Sequence, residues 1–301
     1  MKGFVAPLWL AEKNEGSGFN RLMVAIMAPL IAIDVILAKL LHLGGLGQLL
    51  LKWPGLLLLI GLFFYTRWRG FAKMLQATEL AFWAALTTGG LSVLIQLAGR
   101  TPYPLVDGSL ARIDAAMHFQ TVTVVHLVAR LPILRNTLAI TYAGLPFLIV
   151  ASLLIPTLYG RVADSRRYIL GVIIAALMTA VIFAFLPAAG PWTVEGYAPG
   201  RQQAFVAQSL ALLKSNQPLT LSQIDSGVVA LPSFHVVLAI LSVAAMWNVR
   251  GLRWITFTIG IMTCVSAVTT GWHYGIDIVA GLAVTYASYR LAGRVLRKLS
   301  T

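Results

Sequence analysis

Eight stretches of the chain, 22–41, 49–66, 76–98, 134–159, 167–187, 233–249, 253–270 and 275–293, are apolar over lengths close to the ~20 residues that a helix needs to cross a bilayer. Backbone N–H and C=O groups inside lipid must find partners within their own segment, so each stretch is expected to be helical, with Gly89, Gly90 and Pro146 tolerated there. Composition agrees: 58% of residues are hydrophobic and 11% charged, against about 25% charged in soluble domains, and the mean hydropathy is +0.82. Soluble, disordered and nucleic-acid-binding classes are thereby excluded. The expected fold class is all-α, a polytopic membrane bundle forming one integral membrane domain over 1–301.

The net charge of +13 would suggest a polyanionic partner in a soluble protein, but topology accounts for it here. With eight spans the loops alternate sides, and fifteen of the 23 Lys and Arg fall on the side that holds both termini. Positively charged loops stay in the cytoplasm, so both termini are expected there. Residues 1–20 contain Glu12, Lys13 and Glu15 and lack a cleavable apolar core, so the first span is expected to remain as an anchor. The single cysteine, Cys264, lies in an apolar run and can build no disulfide framework.

Both long connections, 99–133 and 188–232, then lie on the outer side. Leu110, Ile113 and Met117 recur at helical spacing in the first, as do Val206, Leu210 and Leu213 in the second, which predicts two short interfacial helices. All five histidines map to this side. His42, His118 and His126 read as structural, whereas His235, in Leu231-Pro232-Ser233-Phe234-His235, and His273, in Thr270-Gly271-Trp272-His273-Tyr274, stand where two spans begin. Pro232 suits a first helical turn, and both helix N-termini are expected to offer free N–H groups to a phosphate. Asp277 follows His273 by four residues, on the same helix face, and can accept the Nδ1 proton of that imidazole. Nε2 is then a free nucleophile or base, while His235 can move a proton on the other reacting group. Two histidines with opposite tasks suit displacement at phosphorus.

In these residues the chain resembles the type 2 phosphatidic acid phosphatase superfamily. The family's Pro-Ser-x-His motif appears as Pro232, Ser233, Phe234 and His235, and its Ser-Arg-x5-His-x3-Asp motif as Ser266, Ala267, His273 and Asp277, followed by Gly281. The resemblance implies a six-span core, here 76–301 with two extra spans in 1–75. It implies a metal-independent enzyme without cofactor, in which His273 is the nucleophile, Asp277 its orienting partner and His235 the general acid. Ser233, Gly271 and the outer-side cations Arg100 and Arg201 are the expected substrate contacts, with Arg112 and Arg130 as further candidates.

The departures carry information too. Ala267 stands where the family has an arginine, and Arg100-Thr101-Pro102 lacks the family's upstream lysine, since Val93 occupies that position. Two phosphate cations are missing, and a dianionic phosphomonoester needs more positive charge than a diester. In this respect, and in Ala188–Trp192, Leu105–Asp107 and Asp114, the sequence resembles the divergent branch of inositol phosphorylceramide synthases and sphingomyelin synthase-like phosphotransferases. A second class, a lipid or ion transporter, rests on Asp34 in mid-span, where a charge costs about 2.5–3.5 kcal/mol. Glu79 is expected to reach water from a span end. Trp53, Trp68, Trp247 and Trp254 read as interface anchors, and Phe234, Trp272 and Tyr274 as walls for a headgroup.

Overall fold

A computed structural model of the chain describes residues 8–45, 54–215, 217–220, 223–224 and 227–299, and these are almost wholly helical. Twelve α-helices occur among them: α1 (Leu8–Leu40), α2 (Pro54–Arg69), α3 (Ala72–Ala98), α4 (Asp107–Ala116), α5 (Thr121–Ala129), α6 (Pro132–Ala143), α7 (Leu145–Leu158), α8 (Val162–Phe185), α9 (Arg201–Lys214), α10 (Phe234–Met246), α11 (Arg253–Thr269) and α12 (Gly275–Leu299). Residues 17–40 of α1, with α3 and α8, are long and apolar enough to cross a membrane, and α5 with α6 forms a fourth candidate bent by 118°. At 1.5 Å per residue the 24 residues of α8 cover about 36 Å. The apolar helices α7, α10 and α11 are shorter, 14, 13 and 17 residues.

The stretch 134–159, expected as one span, is two helices. Gly144 closes α6 and opens α7, and Pro146 in the first turn of α7 has no N–H to continue the ladder of α6. Each long connection carries a short helix where one was expected, α4 and α9. Leu110, Val206, Leu210 and Leu213 are buried against the protein, whereas Ile113 and Met117 point outward.

The principal core lies among α1, α3, α8, α10 and α12, around Met23, Met27, Leu80, Ile173, Val237, Leu241 and Val284. Small residues let these helices approach. A Cβ on Gly260 of α11 would stand 2.5 Å from Val243 Cγ2 of α10, and one on Gly171 of α8 would stand 3.3 Å from Leu241. The outward surface stays apolar, with Ile133 85% and Phe147 81% exposed, as a lipid-facing belt requires. Trp68, Trp247 and Trp254 are exposed at helix ends; Trp53 lies outside the described residues. One parallel pair of two-residue strands, β1 (Leu43–Gly44) and β2 (Leu219–Thr220), ties the end of α1 to the connection after α9.

Two charged residues of the N-terminal region behave differently. The half-buried Glu79 carboxylate accepts a hydrogen bond from Asn20 Nδ2, and Asn20 Oδ1 accepts one from Trp83 Nε1 at 2.8 Å. Asp34 is buried over Gly90 of α3, and neither of its oxygens has a hydrogen-bond partner among the described residues.

Candidate functional site

The site forms where α10 and α12 begin side by side. Ser233, the N-cap of α10, donates its N–H to the carbonyl of Asp277 at 3.1 Å. A Cβ on Gly281 would stand 2.8 Å from the Ser233 carbonyl, so only glycine allows α12 this close. The contact brings His235 and His273 together from opposite ends of an intervening helical hairpin, with ring centroids 5.8 Å apart and planes at 60°.

Each imidazole has its Nδ1 occupied. His273 Nδ1 lies 2.9 Å from the Ala230 carbonyl and 3.5 Å from Asp277 Oδ2. Both neighbours are acceptors, so Nδ1 carries the proton and Nε2 keeps its lone pair. The orienting partner is therefore shared: the backbone of Ala230 makes the shorter contact, with the carboxylate beside it. Asp277 Oδ2 also accepts the Tyr274 N–H at 2.9 Å, while its Oδ1 is buried without a partner. His235 Nδ1 shares a hydrogen bond with Tyr142 OH at 3.1 Å, and the two rings stack with centroids 4.0 Å apart. Trp272 lies nearly parallel beyond Tyr142, at 6.1 Å.

The two helix N-termini differ in what they leave open. That of α12 is closed by Asp114 of α4, whose carboxylate accepts the Gly275 N–H at 2.6 Å and the Ile276 N–H at 2.9 Å. Burial holds this carboxyl above the ordinary aspartate value, and the two N–H bonds offset part of that rise. The expectation of two anion-accepting termini is corrected accordingly. At α10, no partner among the described residues takes the N–H groups of Phe234, His235 and Val236, and Ser233 Oγ is fully buried without a partner. Trp192 Nε1 is a second buried donor without a partner, its ring 5.5 Å from that of Trp272. Unsatisfied buried groups of this kind are uncommon and mark places where a ligand completes the hydrogen bonding.

The remaining expected contacts divide. Gly271 sits at φ +76°, and its carbonyl accepts from Tyr197 OH at 2.8 Å and Gln203 Nε2 at 3.0 Å, so it shapes the turn before His273. Arg201 is exposed at the first residue of α9, the helix that Gln203 docks onto this turn. Arg100 is elsewhere engaged: its two terminal nitrogens donate to the carbonyls of Leu41 and Gln217. Arg112 bonds within α4, and Arg130 is exposed. Among the described residues, no hydrogen bond of His235, His273, Ser233 or Asp277 involves a Lys or Arg, and Ala267 is fully buried. Tyr274 is no headgroup wall, being fully buried with its hydroxyl on Asp107 at 3.1 Å; burial and that neighbouring carboxylate raise its phenol pKa, which keeps it a donor. Phe234 packs against the principal core.

Tyr142 escapes sequence reading, because one tyrosine in an apolar stretch has no periodic signal; the Gly144–Pro146 break that turns it toward α10 is its only trace. Among the described residues, no group of three His, Cys, Asp or Glu side chains is arranged to hold a metal. Comparison with curated proteins and with solved structures finds no match. The sequence pattern of the PAP2 superfamily matches residues 108–291, more than half of the chain, and that span contains both histidines, Asp277, Ser233 and the α4 and α6 residues that hold them. The chain belongs to the PAP2 superfamily.

Proposed function

We propose that this protein is a membrane enzyme that cleaves a lipid phosphoester through His273 and passes the phospho-group to a lipid hydroxyl or to water. The observation that carries the reading is the histidine pair, 5.8 Å apart, with both Nδ1 atoms occupied so that the two Nε2 atoms face the chemistry. In the first half-reaction His273 Nε2 attacks phosphorus, the bond to the departing alkoxide breaks, and His235 gives that oxygen its proton. The imidazole of His273 gains positive charge, which the Ala230 carbonyl and Asp277 stabilise through Nδ1–H. In the second half-reaction the acceptor hydroxyl loses its proton to His235 and attacks the phosphohistidine, and His273 Nε2 departs with its lone pair restored. Ser233 Oγ and the open N–H groups of α10 receive the phosphoryl oxygens.

Electrostatics favour a diester donor and hence headgroup transfer of the kind carried out by inositol phosphorylceramide synthase-like enzymes. Neutral donors surround the pair, and Ala267 and Val93 replace two family cations, which suits the single charge of a phosphodiester better than a phosphomonoester dianion. On this reading both termini are cytoplasmic and the site opens toward the outer leaflet.

The purified protein, incubated with labelled phosphatidic acid, a polyprenyl diphosphate or a phospholipid diester, with and without diacylglycerol or ceramide, is expected to make a new labelled lipid only when donor and acceptor are both present. Release of phosphate from the monoester alone would assign a phosphatase instead. His273→Ala abolishes either activity, and chelators leave it unchanged. A second reading, transport, has one specific observation, the unpartnered Asp34; a His273→Ala protein that still moved substrate across vesicles would favour it.

A further inference from the structure

A cavity of about 700 Å³ is lined in part by the 188–193 segment. Ala189 and Thr193 of this segment line the cavity, whereas Trp192 turns away to pack on Trp272. The segment is fixed: the N–H groups of Ala189 and Gly190 both donate to the buried Asp107 carboxylate, at 3.0 and 2.8 Å. Neither histidine, Tyr142 nor Trp272 lines the cavity.

The cavity walls come from the end of α1 (Leu41), the chain after α3 (Arg100, Tyr103) and α9 (Ala211, Lys214), and no Asp or Glu among the described residues lines it. Arg100, 8% exposed, lines it; its terminal nitrogens are taken by the Leu41 and Gln217 carbonyls and its Nε is buried, so it gives the wall a positive charge. Lys214 Nζ donates to the carbonyls of Thr101 at 2.7 Å and Tyr103 at 3.0 Å, and an ammonium has a third donor to give. Burial lowers the pKa of both cations, and no counter-ion offsets it. Two cations in a cavity whose other walls are uncharged and mostly apolar match an amphiphile with one anionic oxygen cluster.

We propose that this cavity binds the phosphate of an anionic phospholipid headgroup, at a site separate from the histidine pair. Lys214 donates to the phosphate, the Arg100 guanidinium adds positive charge beside it, and the apolar walls take the start of the acyl chains. Arg100 also bridges Leu41 at the end of α1 and Gln217 before β2, so the lipid sits at the joint between the N-terminal helices and the rest of the bundle and is expected to tighten it.

The test uses the full chain carrying His273→Ala, which removes turnover, so that the outcome is independent of the catalytic reading. Titration with dioleoyl phosphatidylglycerol, followed by native mass spectrometry and thermal unfolding, is expected to give a saturable adduct and a raised melting temperature. Ala211→Trp fills the cavity mouth at an exposed position without touching any bond described above; it should weaken that adduct by about tenfold or more. Lys214→Gln keeps a donor and removes the charge, with an expected loss of the same order. Dioleoylglycerol, which lacks phosphate, should give no adduct sensitive to Ala211→Trp. Equal binding by folded wild-type and Ala211→Trp chains, or by the neutral lipid, would overturn the proposal. Displacement of the lipid by inorganic phosphate in molar excess would overturn the lipid assignment in favour of the free anion.

Discussion

The N-termini of α10 and α12 stand against each other, each carries a histidine within or just ahead of its first turn, and each has the positive end of a helix dipole. Their chemistry is opposite. At α12 the Asp114 carboxylate already takes two of the first N–H groups, so that end is finished within the protein. At α10 three N–H groups and the Ser233 hydroxyl have no partner among the described residues. One terminus is built for rigidity and the other is left unfinished. The difference assigns tasks that the histidines alone do not: α12 holds the proposed nucleophile still, and α10 receives the oxygens of the group under attack.

The sharpest way to break this contrast is Ser233→Ala. If Ser233 were an ordinary cap, its loss would cost about 1 kcal/mol of stability. Its Oγ makes no cap bond, however, so unfolding should hardly change. The proposed role instead predicts a fall in kcat/KM of about 10–100-fold, the worth of one hydrogen bond to a charged group. A variant that lost stability and kept activity would reverse the assignment of the two termini.

Asp114→Asn acts on the closed terminus and should do the converse. Asparagine oxygen can accept only on one side, so one of the two N–H groups loses its partner, at a cost of about 1–3 kcal/mol. Activity falls less than in Ser233→Ala, through loosening of the turn that carries His273. The pH dependence has a definite sign. Burial holds the Asp114 carboxyl above its unfolded value, so its contribution to stability is full below the unfolded value and is lost as pH rises through the raised folded value. The stability gap between wild type and Asp114→Asn should therefore be widest in acid and narrow with rising pH, measured by thermal unfolding in one detergent. A gap that widened with pH would mean that the two N–H bonds outweigh desolvation.

The parts of this site legible in the sequence are those fixed by short spacing. His273 and Asp277 are one helical turn apart, and Pro232-Ser233-x-His235 opens an apolar run, so both were expected at helix starts, and both lie there. The short helices α4 and α9 are equally visible, because Leu110, Val206, Leu210 and Leu213 repeat with the period of the face they bury. What spacing cannot carry is a contact between distant segments. Asp114 meets Gly275 across 161 positions, Ala230 meets His273 across 43, and Arg100 turns toward Leu41 and Gln217. Apolarity likewise sees 134–159 as continuous and misses the one-residue break at Gly144, which leaves the hydropathy of the stretch unchanged.

That break matters because it brings Tyr142 to His235, and the smallest predicted effect follows from it. Tyr142→Phe keeps the stacked ring, 4.0 Å from the imidazole, and deletes only the hydroxyl at 3.1 Å from Nδ1. If Tyr142 merely filled space, kcat and its pH profile would both stand. In the proposed chemistry His235 gives up the Nε2 proton of an imidazolium, and the hydroxyl, accepting from Nδ1–H, holds Nε2 toward the leaving oxygen. Its loss lets the ring turn, so kcat should drop a few-fold, on the order of one neutral hydrogen bond. The limb of the kcat profile that reports the acid should move, while KM for the donor should not, since Tyr142 touches His235 and not the open end of α10. Movement of KM alone would make Tyr142 a wall of the binding site and leave His235 without its positioning residue.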